Sequence, residues 1–314
     1  MSFLKNFMQT KNNKLTHSNT SVLVTHNGSF HTDDIFACAT LVLMLEKNGN
    51  TFEIIRTRDE KNIEQGDFVF DVGGIYDAEI NRFDHHQKGG AGKRENGIEY
   101  SSFGLVWKKF GKEICEGEEV VNIVDERLVA PIDAFDNGFD LVENKHSISP
   151  YFIQHFFLAM RPTLREKNIT NDEMFLKSVE IAKEILSREI IHVTDAISSF
   201  KKVLSIYENT EDKRILVLDE NFQNEVSLTK LKEPLYIIYP KSDDSSWGIR
   251  AVRENPRTFN NRKDFPKVWA GLKDKELQEV TGVEDAVFCH KGLFLVIAKS
   301  KEGAIKLAEL ALLG

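Results

Sequence analysis

The sequence predicts an α/β protein: a first domain built on a mostly parallel sheet flanked by helices, then a smaller C-terminal α+β domain joined through a helical linker. Three observations carry this. Between residues 21 and 74, strand-length apolar runs enclose a helix-length apolar run, the spacing of a βαβ unit. A helical pattern runs unbroken from Asn171 to about Glu208. Beyond it the texture changes to short apolar runs separated by turns.

Each element follows in order. SVLVTH (21–26) reads as a buried strand. DDIFACATLVLMLEKNGN (33–50) is apolar nearly all round and ends in a Gly-Asn stop, so a buried helix is expected. TFEIIRTR (51–58) and DFVFDVGG (67–74) are strands. SSFGLVWKKFG (101–111) and the stretch from about 117 to 160 have a helical pattern. Asn171 can cap the long helix that follows. RILVLD (214–219), LYIIYP (235–240), WGIRAV (247–252), AVFCH (286–290) and LFLVIA (293–298) are short strands, and KEGAIKLAELALLG is a closing helix. At 314 residues the chain exceeds one ordinary core. The expected division is a flexible N-terminus (1–20), a first domain (21–170), a helical linker (171–208) and a second domain (209–314).

Composition narrows the class. With 41% hydrophobic and 29% charged residues, the chain is an ordinary globular protein. A net charge of −8 argues against coating nucleic acid with the whole surface, but leaves room for a local basic groove. Cys38, Cys115 and Cys289 are far apart and form no CxxC pair, which points to buried free thiols in a reducing compartment. No apolar run has membrane-span length, so no membrane partner is expected. Residues 1–20 lack a secretion-signal core; their Lys- and Asn-rich, acid-free character leaves an organellar matrix open, with a cytoplasmic location expected. A homo-oligomer is compatible with the sequence.

Four constellations carry chemistry. In THNGSFHTDD (25–34), His26 ends the first strand, and His31 and Asp33 precede the first helix. Ligands of open α/β sheets bind beyond the carboxyl ends of strands; the local alternative is that Asp33 and Asp34 simply favour a helix N-terminus. In FVFDVGG, Asp71 closes an apolar strand, where a buried carboxylate needs a cation, a partner or a proton. Asp84, His85 and His86 are consecutive. Neighbours on a strand point to opposite faces, so one imidazole can ligate while the next meets substrate or an orienting carboxylate. In PIDAFDNG, Asp133 and Asp136 are three apart, on one face of a helical turn.

Together His26, His31, Asp33, Asp71, His85 and one of Asp133 and Asp136 form an imidazole–carboxylate set without thiolate. That mix suits Mn2+, Mg2+, Fe2+ or Zn2+, with Mn2+ the first expectation. Two divalent ions about 3.5–4 Å apart, bridged by an aspartate, would use the whole set. Asp71 is the expected bridge and catalytic residue, and His86 is expected to face substrate with Asp84 beside it.

The order HxxxxHxD, a strand-ending Asp, DHH and a later Asp resembles the DHH phosphoesterase superfamily. More closely, THNGSFHTDD, RTRD, DVGGIYD, RFDHHQ, DAFDNG, WAGLKDKEL and VFCHKG resemble the family of the melanocyte proliferating gene product, over residues 21 to 314. The resemblance implies a DHH-type catalytic domain, a substrate-clamping second domain and a divalent-metal phosphodiesterase, with eukaryotic relatives described as 3′-to-5′ RNA exonucleases. One departure stands out. Where superfamily relatives often carry a Gly-Gly-His motif, this chain reads KGLFLVIAKS; His290 lies nearby as a possible substitute.

The second domain offers a phosphate-binding stretch. Arg250, Arg253, Arg257, Arg262, Lys263 and Lys267 stand against only Glu254 and Asp264. Arginine binds phosphate bidentately; Asn260, Asn261 and Trp247 add hydrogen bonds and stacking. Six basic residues favour an oligomeric substrate, because each neutralised phosphate adds affinity, and with what the resemblance implies the expected substrate is RNA or a short oligonucleotide. The alternatives are a small-molecule phosphoesterase or pyrophosphatase, and a non-catalytic metal-bound module that binds RNA or a partner.

Overall fold

The computed structural model describes residues 20–221, 228–242, 245–256 and 258–314. The segment expected to be a flexible N-terminus lies outside the described residues except for Thr20, and so does Arg257. The chain divides into two compact units, one ending at Ile190 and the other running from Ile191 to Gly314.

In the first unit, β1 (Thr20–Thr25) lies between β2 (Thr51–Arg56) and β3 (Phe68–Phe70), parallel to both. Two short strands complete the sheet, β4 (Tyr76–Asp77) and β5 (Arg82–Phe83). The order is β2-β1-β3-β5-β4, and only β4 runs antiparallel to its neighbour. Helix α1 (Thr32–Lys47) connects β1 to β2 and is buried almost throughout, as its all-round apolar sequence requires. It ends at Asn48, and Gly49 follows with φ +70°, a left-handed turn that glycine accepts without a Cβ clash. A short helix, α2 (Glu60–Gln65), joins β2 to β3, with the Asp59 carboxylate accepting the Lys61 and Asn62 amides.

Helix α3 (Ser102–Ile114) packs on α1, and the rings of Phe36, Phe103 and Phe157 meet between helices. The expected helical stretch from 117 to 160 is not continuous. Helix α4 (Glu118–Val124) passes through a wide π-turn (Asp125–Val129) into α5 (Ala130–Asp136). Pro131 has no amide to donate backwards, which suits an irregular turn just before it. Asn137 and Gly138 (φ +66°) stop α5, and helix resumes only at α6 (Ile153–Ala159). Helix α7 (Asn171–Asn209) is continuous over 39 residues, and the division between the units falls inside it.

The second unit holds β6 (Ile215–Val217), β7 (Tyr236–Pro240), β8 (Trp247–Ala251), β9 (Ala286–Cys289) and β10 (Leu295–Ala298). Their order is β6-β7-β8-β10-β9, antiparallel except for β6 with β7. Helix α8 (Asp274–Thr281) precedes β9, and α9 (Lys301–Leu313) closes the chain. Ala304, Leu307, Ala308 and Ala311 form the buried stripe of α9, at the spacing of one helix face. Among the described residues no helix is long and apolar enough to cross a membrane. Cys38, Cys115 and Cys289 are buried free thiols.

Candidate metal centre

Strands β1, β3 and β5 run in the same direction, so the residues that follow them emerge at one edge. After β1 comes His26, after β3 comes Asp71, and after β5 come Asp84, His85 and His86. The His31–Asp34 turn enters α1 at that edge, and Asp136 ends α5. Parallel pairing therefore assembles side chains that sequence separates by up to about a hundred residues.

Asp71 lies at the centre. Its Oδ2 is 3.1 Å from His26 Nε2, and its Oδ1 is 3.3 Å from His85 Nε2. The Ser102 hydroxyl donates to Oδ1 at 3.1 Å. Asp71 adopts φ +54°, a left-handed conformation that costs a non-glycine residue on the order of 1 kcal/mol. The following Gly73 and Gly74 also have positive φ, so the chain turns sharply away and leaves the carboxylate at the strand mouth. His85 Nε2 also lies 3.4 Å from Asp136 Oδ2 and 3.8 Å from Asp33 Oδ2. His26 Nε2 is 3.2 Å from Asp34 Oδ2.

His86 is different in kind. Its Nδ1 is bonded to Asp84 Oδ1 at 2.8 Å, while Asp84 Oδ2 accepts the Gly74 amide at 2.6 Å. Asp84 thus orients the imidazole and fixes the neighbouring turn. The His86 side chain is 62% exposed, against 8% for His85.

The cluster holds more carboxylate than cation. Burial pushes Asp33 well up from the ordinary range, and Asp71, Asp136 and Asp34 push it further. Burial likewise raises Asp34 and Asp136. Burial alone would lower His26, but Asp34 and Asp71 outweigh it and raise it to about 10. Burial would raise Asp71, yet the His26 and His85 bonds hold it well below the usual carboxylate range. Asp33 is 1% exposed, and neither of its oxygens accepts a hydrogen bond. A buried carboxylate in that state needs a proton or a cation.

These residues fit divalent metal. Three groups have ligand atoms mutually within 4.8 Å: His26, His31 and Asp71; Asp71, His85 and His86; His31, Asp33 and Asp136. Asp71 is shared by the first two and His31 by the first and third. The donors are imidazoles and carboxylates, the set that divalent first-row ions and Mg2+ accept.

Of the aspartates on α5, only Asp136 joins the cluster. Asp133 is an equal candidate by spacing, and the structure corrects that. Its Oδ1 accepts the Ser101 hydroxyl at 2.5 Å and the Gly104 amide at 3.0 Å, and its Oδ2 meets Arg94 Nη1 at 2.5 Å. Three protein donors engage its two oxygens, so it anchors α5 instead. Two members of the site carry no clear sequence signal. Asp34 reads only as a helix-start residue, and Ser102 as one more position in an apolar helix.

The basic stretch of the second unit is more engaged than its sequence suggests. Arg262 is corrected as a phosphate ligand: its guanidinium donates to the carbonyls of Thr229, Lys232 and Pro234. It pins that loop. Lys263 bonds the Leu312 carbonyl. Arg250 lies over the Tyr239 ring and Arg253 over Phe259. Asn260 is exposed, and its carbonyl accepts the Glu254 amide. His290 Nδ1 accepts the Gly292 amide at 2.9 Å, and its ring lies 4.3 Å from that of Phe294; it stiffens the β9–β10 turn.

The family described as Uncharacterised protein family (UPF0160), MYG1_exonuc, matches residues 22–312. The chain is 32% identical to a MYG1 protein of Chlamydia pneumoniae, over 92% of this chain and 95% of that one. It is 28% identical to the MYG1 exonuclease of Mus musculus, over 92% and 84%. Among solved structures, RecJ from Thermus thermophilus in complex with Mn2+ aligns with 93% of this chain and 52% of its own, at 11% identity. Its TM-score of 0.28 is too low to assign a fold.

Proposed function

We propose, from the premise that the chain belongs to UPF0160, the MYG1_exonuc family, that it is a divalent-metal-dependent phosphodiesterase acting as a 3′-to-5′ exonuclease on RNA or short oligonucleotides. One observation carries the reading. The two oxygens of Asp71 face different imidazoles, His26 on one side and His85 on the other, which would let this one carboxylate help to hold divalent metal together with either imidazole. The naming of the mouse relative as an exonuclease supports the same class.

The residues then have separable roles. His26, His31, Asp33, Asp71, His85 and Asp136 would hold two divalent ions, with Mn2+ as the first choice. Such ions, when bound, acidify a water and neutralise phosphate oxygens. Ser102 steadies Asp71 through its hydroxyl. Asp84 fixes His86 through Nδ1, and no protein group meets Nε2 among the described residues. With Nδ1 donating to Asp84, Nε2 carries a proton only in the imidazolium, the form that the Asp84 bond favours; in that form it donates to a phosphate oxygen, where charge grows as the P–O bond breaks. Within the second unit, Arg250 and Arg253 remain the candidates for phosphate contact.

The test is a turnover screen of the purified chain with Mn2+, Mg2+ or chelator. Labelled RNA, DNA, dinucleotides and pyrophosphate are the substrates. Mn2+-dependent release of mononucleotides from the 3′ end of RNA is the expected result. Cleavage of pyrophosphate alone would make the chain a small-molecule phosphoesterase. No hydrolysis of any phosphoester would favour a non-catalytic binding module.

A further inference from the structure

Two clefts open beside the metal cluster. One, of ≈ 470 Å³, is lined by His85, His86 and Asp136 and by the apolar Ile132, Phe135 and Leu158. The other, of ≈ 600 Å³, is lined by His26, Asp84 and the Gly73–Gly74 backbone, and by Arg58. His31, Asp71 and His86 belong to both. The cluster is therefore the partition between two small-molecule-sized spaces, and the spaces differ in chemistry.

The first cleft is aromatic. Phe135 remains 42% exposed although it sits on a helix that is otherwise largely buried. Its ring is braced edge-on by His155 at 5.8 Å and flanked by Phe152 at 6.2 Å. A rigid ring, half open to water beside a cluster of carboxylates, is a poor structural choice and a good stacking surface. Gln154 lines the same cleft and is only 5% exposed. Its amide nitrogen donates to the Pro131 carbonyl at 3.3 Å, which leaves its oxygen as an acceptor for a base amine.

The second cleft is cationic at one point. Among the described residues, Arg58 is the one lysine or arginine that lines either space. Its guanidinium makes no ion pair or hydrogen bond within the described chain, although Asp71 and Asp84 line the same cleft. Those carboxylates are already taken, by His26, His85 and Ser102 and by His86 and Gly74. Arg56 makes the contrast, because it is fixed by Asp172 at 2.5 Å and stacks on Phe175 at 4.5 Å. A guanidinium left open next to a phosphodiester site suits bidentate phosphate binding.

We propose that the two clefts are subsites of one nucleotide groove, in which Phe135 stacks a nucleobase and Arg58 binds a backbone phosphate, with the reacting phosphodiester at Asp71 and His86 between them. This deepens the phosphodiesterase reading and rests on it. It names the substrate as a base-bearing oligonucleotide, since pyrophosphate has no use for an aromatic cleft.

The experiment is equilibrium binding by calorimetry in Mn2+, with two phosphorothioate-linked trimers that resist cleavage. One carries three adenines and the other three abasic sugars. Arg58→Ala should weaken both by about tenfold, the loss of one charge-assisted contact, and Arg58→Lys should recover part. Phe135→Leu should weaken only the adenine trimer, again by about tenfold, and Phe135→Tyr should bind it like wild type. Thermal melting of each variant reports folding. Equal weakening of both trimers by Phe135→Leu would reduce the ring to packing and overturn the groove. So would a change below twofold for Arg58→Ala, or no binding of either trimer by wild type. The two readings fail separately. Binding with this pattern but no turnover in the hydrolysis screen removes the enzyme and keeps the groove. Turnover with unresponsive variants removes the groove alone.

Discussion

Asp71 shows how much one residue can carry. It is visible in the sequence because a carboxylate at the end of an apolar strand is conspicuous. Asp71→Asn keeps the volume and removes the charge that His26 and His85 share. Turnover should fall on the order of a thousandfold or more, and metal content, measured by mass spectrometry, should fall with it. His86→Ala should behave otherwise. Its Nδ1 is held by Asp84 and its side chain is mostly exposed, so turnover should drop roughly a hundredfold while most of the metal stays. Loss of metal equal to that in Asp71→Asn would move His86 into the ligand set. The choice between Asp133 and Asp136 is not legible in the sequence. Both lie on one helix face, and the partner that removes Asp133 is Arg94, 39 residues away in sequence. Nothing local marks that pairing.

At the scale of elements, the approach of α3 to α5 decides where Asp136 stands. Gly104 on α3 has no side chain because Asp133 occupies the space, and a Cβ there would overlap that carboxylate. In an open helix Gly→Ala gains about 1 kcal/mol. Here Gly104→Ala should instead destabilise by about 1–3 kcal/mol, read from urea unfolding, and weaken Mn2+ binding by displacing α5. An increase in stability would mean that the two helices separate freely. The βαβ pattern, the all-round apolar α1 and the long α7 are readable because each depends on local periodicity. The strands β4 and β5 are not. At two residues each they have no periodicity, and exist only because β3 offers an edge to pair with. The helical pattern over 117–160 misleads for a related reason: Pro131 and Asn137–Gly138 interrupt it, and tertiary contacts decide how.

For the whole molecule, the surplus of buried carboxylates predicts a dependence of stability on metal. Asp33, Asp34 and Asp136 are all pushed towards their protonated forms by burial and by neighbouring carboxylates. A divalent ion that binds only the folded chain adds about 2.7 kcal/mol at a hundredfold excess over its Kd. That corresponds to a rise in melting temperature of roughly 5–10 °C for a unit of this size. Calorimetry with Mn2+ should show it and chelator should reverse it, with Asp71→Asn unresponsive. An unchanged melting temperature for wild type would argue that protons, not metal, satisfy the cluster.

The sequence by itself determined the fold class, the approximate span of the regular elements and most of the side chains that meet in the candidate cluster, from His26 to the DHH run. It could do so because strand ends and helix starts are local features, and metal donors are few in type. Tertiary structure alone decided that Asp136 and not Asp133 joins them, that Ser102 steadies Asp71, that Arg262 is held by backbone carbonyls and that Arg58 is left open. In each case the outcome depends on which donor or acceptor arrives from a distant segment. Only the packed chain brings those segments within hydrogen-bond range, where one partner excludes another.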